Sequence, residues 1–138
     1  EIYQEKVKLF SWYPLWCHSL FFLILHEEMG LKEKDLFNIG YHGTRVSLVL
    51  KVLPKQVFNL EKVFKKANVY WRNNFSVGTM ELKDFDLENK FVILNLKNFN
   101  AHPLQCHTIR GYLVGFLELF KKIKNLFQKK NKKRDKKS

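Results

Sequence analysis

Residues 107–127 read HTIRGYLVGFLELFKKIKNLF. Ile109, Leu113, Phe116, Phe120, Ile123 and Phe127 fall at alternating steps of four and three, an almost heptad stripe that predicts one long helix, either a core helix or a dimer seam. Gly111 and Gly115 stand one turn apart inside it. Each costs a helix roughly 1 kcal/mol relative to Ala, so a neighbouring helix or a hairpin is expected to approach the backbone there.

Working back from that helix, Lys90 to Lys97 is an apolar run and Phe75 to Phe85 alternates, with Phe75, Val77, Thr79 and Glu81 on one side. The polar turn at residues 86–89 joins them into a β-hairpin. From Gln56 to Asn74 the residues Val57, Leu60, Val63, Phe64, Ala67, Tyr70 and Trp71 recur at helical spacing, which predicts one amphipathic helix with lysines outward. Val46 to Leu53 fits a strand by propensity and a helix by the placing of Ser47, Leu48 and Leu50, with helix the preferred reading, and Pro54 ends it either way. Another begins near Glu33 and carries Leu36, Phe37 and Ile39 up to the GYHG segment. The first, from Trp12 to Met29, places Leu15, Ser19, Phe22, Leu25 and His26 at helical spacing, tolerates Pro14 in its first turn and stops at Gly30. The expected class is α+β: helices packed around a small antiparallel hairpin or sheet, with a long C-terminal helix.

A chain of 138 residues with 46% hydrophobic and 15% aromatic content has material for one core, here residues 1–120. Cys17 and Cys106 lack the dense pairing of a secreted scaffold, and the opening EIYQEKVKLF lacks the signature of a signal peptide. A cytoplasmic location is therefore expected. The most apolar segment, Phe10 to Leu25, is interrupted by Ser11, Pro14, His18 and Ser19 and falls short of a membrane span, so it reads as a buried helix.

The net charge of +12 is concentrated at one end. Residues 121–138 hold ten Lys/Arg and one Asp, a net +9, while fifteen basic and twelve acidic residues leave +3 for residues 1–120. The run KKNKKRDKKS has no apolar residue to offset the cost of ordering it, so a basic helix extension followed by a solvated, disordered tail is expected. Lys129, Lys130, Lys132, Lys133, Arg134, Lys136 and Lys137 are the candidates for non-specific contact with a polyanion, nucleic acid or anionic lipid. A solubilising terminus is the alternative.

The stretch FVILNLKNFNAHPLQCHTIRGYLVGFLELF, residues 91–120, joins an apolar strand to a turn and then to a helix reading RGYLVGFLE. With YPL near the start and YWRNNF before SVGTMEL, it resembles the 4-vinyl-reductase-type sensor domains, and more closely their short bacterial relatives well represented in myxobacteria. The resemblance runs from about Trp12 to Phe120. It implies a small-molecule or partner-binding domain, often dimeric, in a group that includes effector domains of bacterial transcription regulators and subunits of vesicle-tethering complexes. The zinc-binding cysteines that such domains carry after the long helix have no counterpart, since no Cys follows Cys106.

The chemistry-bearing residues point the same way. His102, Cys106 and His107 have metal-ligand types but lack paired CxxC spacing, and Cys106 reads as core. Carboxylates are spread out, no orienting group accompanies a Cys–His pair, and GYHGTR is no phosphate loop, so neither an enzyme nor a cofactor site is expected. Trp12, Trp16, Tyr41, Trp71 and Tyr112 are aromatic candidates to line an apolar pocket. Arg45 and Arg110 stand in apolar helical surroundings and need acceptors, an internal carboxylate or an acidic ligand. The expected ligand-binding set is His42, Arg45, Trp71, His107, Arg110 and Tyr112, in a non-enzymatic module that binds a small apolar or acidic ligand and forms a homodimer through its C-terminal helix. The alternative is a nucleic-acid or anionic-membrane adaptor acting through the tail.

Overall fold

The computed structural model of the protein describes residues 11–45 and 59–135. Its elements are α1 (Leu15–Glu27), α2 (Glu33–Gly43), α3 (Leu60–Lys65), α4 (Ala67–Arg72), β1 (Thr79–Asp86), β2 (Phe91–Lys97) and α5 (Pro103–Asp135). This is an α+β fold with a two-stranded antiparallel sheet and a long C-terminal helix. The helix expected over Val46–Leu53 lies outside the described residues. Among the described residues, no helix is long and apolar enough to cross a membrane.

Helix α5 organises the core because its buried and half-buried positions serve three clusters in turn. Near its start, Leu104 packs with Phe22 and Leu25 of α1 and Leu36 of α2. In the middle, Ile109 meets Ala67 and Trp71 of α4 and Met80 of β1. Further along, Phe116 and Phe120 close on Val63 and Phe64 of α3. Phe116 and Phe120 are thus buried within the chain. Where the charge pattern predicts a disordered tail, the backbone continues as helix through Asp135.

The glycines explain why α2 and α5 pack so closely. A Cβ on Gly111 would overlap the carbonyl oxygen of Phe37, one on Gly40 would overlap the carbonyl of Thr108, and one on Gly115 would press on Thr44 and the Tyr41 carbonyl. Each helix therefore offers bare backbone where the other's turn comes nearest. The Thr108 hydroxyl donates to the Leu36 carbonyl at 3.1 Å, and the Thr44 hydroxyl to the Tyr41 carbonyl at 2.5 Å.

The helix expected over residues 56–74 is two short helices. Lys66 adopts φ −95° and ψ 11° and donates its N–H to the Val63 carbonyl three residues back, which tightens the turn. Val63 and Phe64 can then face the far half of α5 while Ala67 and Trp71 face the hairpin. Helix α1 also departs from expectation. Only Phe22 and Leu25 are buried, while Trp16, Leu20, Phe21 and Ile24 are exposed, because α1 packs along one edge only. Gly30, at φ 68°, ends it as the sequence predicts.

The hairpin pairs Thr79 with Lys97 and Asp86 with Phe91, with a bulge between Leu82 and Asp84. Its inward residues are Met80, Leu82 and Phe85 on β1 and Val92, Leu94 and Leu96 on β2. The face carrying Thr79 and Glu81 is the opposite one. The extra residue at the bulge shifts the alternation, so Leu82 and Phe85 both turn inward despite their odd spacing.

Candidate functional site

Two stretches of helix line one cavity with a common spacing. Gln105, Thr108, Ile109, Tyr112, Leu113 and Phe116 of α5 recur at steps of three, one, three, one and three. Val63, Phe64, Ala67, Tyr70, Trp71 and Asn74, running through α3 and α4, form an equivalent face. Between them lies a cavity of about 450 Å³. Its remaining wall comes from His18 and Phe22 of α1, Ile39, Gly40 and Gly43 of α2, Phe75, Met80 and Leu94. It lies within the usual range for small-molecule sites.

The wall is rigid where its rings interlock. Trp71 stacks on Phe75 with centroids 4.3 Å apart, and Phe99 meets both edge-on at 4.9 and 5.3 Å. The Trp71 indole N–H donates to the Val77 carbonyl at 2.9 Å, and the Asn68 side chain accepts from the Met80 N–H at 3.2 Å. Phe64 and Phe116 meet edge-to-face at 6.3 Å.

Among the described residues, no Lys, Arg, Asp or Glu lines the cavity. The polar ones are few and partly committed. Thr108 donates to Leu36, and the Asn74 amide donates to the Tyr70 carbonyl at 3.0 Å. His18 and Asn74 are exposed, at the solvent side of the wall. Gln105 is different: only 3% exposed, with its carboxamide oxygen buried and without a hydrogen-bond partner.

The residues expected to bind ligand divide. Trp71 and Tyr112 line the cavity. His42, Arg45, His107 and Arg110 do not: at about 100° per residue His42 on α2 and His107 and Arg110 on α5 turn away from the faces that do, and Arg45 lies past the end of α2. His107 instead lies 3.6 Å from Glu33. Arg45 and Arg110 are exposed, so water can solvate them and neither stands in the apolar surroundings expected of it. Arg45 borders a separate crevice of about 20 Å³ beside Tyr41 and Glu118. Trp12 and Trp16 are exposed and outside the cavity.

Cys106, expected in the core, is exposed, since position 106 lies off the cavity face of α5. His102 accepts a hydrogen bond from the Leu104 N–H at 3.3 Å in the first turn of α5. Among the described residues, His102, Cys106 and His107 form no metal-binding group with one another or with other His, Cys, Asp or Glu side chains. Lys129, Lys130, Lys132, Lys133 and Arg134 are carried on α5, whereas Lys136 and Lys137 lie outside the described residues.

Gln105 is the residue that sequence reasoning passed over. Its position four residues before Ile109 and eight before Leu113 puts it on the apolar stripe, and a carboxamide on such a stripe is a signal in itself. Comparison of the chain with protein-family models, with curated proteins and with solved structures returned no match.

Proposed function

We propose that the protein is a non-enzymatic binding module that takes up one small, uncharged, predominantly apolar molecule between its helices and hairpin. The observation that carries this reading is the cavity of about 450 Å³ whose wall, among the described residues, holds seven aromatic side chains besides His18 and no formally charged one. An ionised ligand buried there would find no counter-charge on the wall, a penalty that argues against the acidic ligand. Binding rather than catalysis is supported by the wall chemistry, which pairs no nucleophile with a base. The resemblance to sensor domains agrees with a ligand-responsive role.

Titration with N-phenyl-1-naphthylamine, an uncharged probe that fluoresces in apolar surroundings, tests the reading. Saturable binding of one probe per chain is expected, and Leu113→Trp, which places an indole in the cavity, should abolish it while the protein stays folded by circular dichroism. Absence of saturable binding, or binding indifferent to that substitution, would overturn the reading.

A second reading rests on α5, which carries Lys129 to Arg134 on continuous helix. Polyanion contact through these positions would weaken steeply as salt rises from low to physiological and vanish on truncation after residue 120. Cavity binding would be far less sensitive to salt.

A further inference from the structure

Gln105 stands in the first turn of α5, its backbone N–H donating to the His102 carbonyl at 2.9 Å. Its side chain lines the cavity, and its amide oxygen is the one buried side-chain N or O among the described residues left without a hydrogen-bond partner. A buried carboxamide oxygen that has lost water and gained nothing destabilises the empty state. Thr108, one turn further along α5, does not relieve it, since its hydroxyl hydrogen goes to the Leu36 carbonyl. The terminal torsion of a glutamine is soft, so its oxygen can swing toward the cavity at little cost when a donor arrives.

Resting on the binding role proposed above, we infer that Gln105 is the specificity-determining residue of the cavity and that its ligand carries a hydroxyl or N–H donor on an otherwise apolar, aromatic-sized body. The rings of Trp71, Tyr112 and Phe116 supply area for that body, and the amide oxygen supplies a directional contact. Such a site discriminates against the isostere that lacks the donor, because that isostere leaves the oxygen unpaired.

The test compares 2-naphthol with 2-methylnaphthalene, near-identical in shape and differing in one donor, by calorimetry on the full chain and on Gln105→Met. The full chain should bind 2-naphthol on the order of tenfold more tightly, and Gln105→Met, whose side chain is unbranched and similar in length, should lose that preference. Equal affinity of the full chain for the two compounds would overturn the role of Gln105 while leaving the cavity as a binding site. A preference that persists in Gln105→Met would overturn it as well. If neither compound binds, the binding role falls together with the inference.

Discussion

Gly111 of α5 lies directly against the carbonyl oxygen of Phe37 in α2, where even a methyl group has no space. The contact is backbone against backbone, so no side-chain movement can relieve an added Cβ.

Gly111→Ala should therefore destabilise the protein by about 1–3 kcal/mol despite the better helix propensity of Ala. Gly43, also helical, is the control, since a Cβ there meets nothing within 4 Å. Gly43→Ala should be neutral or stabilise by up to about 1 kcal/mol. Urea denaturation of the two variants checks the pair, and equal midpoints would contradict the close crossing.

Tyr41 donates its hydroxyl hydrogen to the Glu118 carboxylate, tying α2 to α5 a turn beyond the glycines. That hydrogen bond chiefly, with burial and the Glu118 charge adding to it and Arg45 opposing, raises the Tyr41 pKa above 10.0. The native state thus holds this proton more tightly than the unfolded chain. The resulting stability is fully present below the ordinary tyrosine pKa and is lost as pH rises through the raised one. Spectrophotometric titration should show Tyr41 ionising above the ordinary tyrosine range, and Glu118→Gln should bring it back toward that range.

Asp86 opens the hairpin turn and accepts from the Asn89 backbone N–H at 2.9 Å and its side-chain amide at 2.7 Å. The Asn89 backbone bond leads in lowering the Asp86 pKa below 3.8. Here the contribution is present above the unfolded pKa and is lost as pH falls through the lowered one. Asn89→Ala removes the side-chain donor and should raise the Asp86 pKa part of the way, read by NMR titration of its carboxyl carbon.

Cys106 is exposed and Cys17 half-buried. Iodoacetamide should label Cys106 in the native protein and Cys17 more slowly, with mass spectrometry of the digested peptides as the readout. Labelling of Cys106 only after unfolding would place it in the core that its sequence suggests.

Much of the architecture is legible in residue spacing. The α5 stripe, the hairpin and the stop at Gly30 follow from local periodicity and turn chemistry, which act between neighbours in the chain. The break at Lys66 and the bulge beside Lys83 are not legible in this way. They answer to where α3, α4 and β1 must face, and that depends on partners distant in sequence.

The candidate site divides along the same line. Trp71, on the apolar stripe of residues 56–74, and Tyr112, an aromatic candidate, line the cavity, whereas His42, Arg45, His107 and Arg110, candidates by their chemistry, do not. By itself the sequence determined the class, the hairpin, the long C-terminal helix and the reason for Gly111 and Gly115, because backbone propensity and apolar period are local properties. Only the tertiary structure decided that α2 is the helix received at those glycines, that α1 leaves one face bare, and that Gln105 stands on the wall of a cavity lined, among the described residues, by no charged side chain. The physical reason is that burial of a side chain depends on which distant surface covers it, and that is settled by packing.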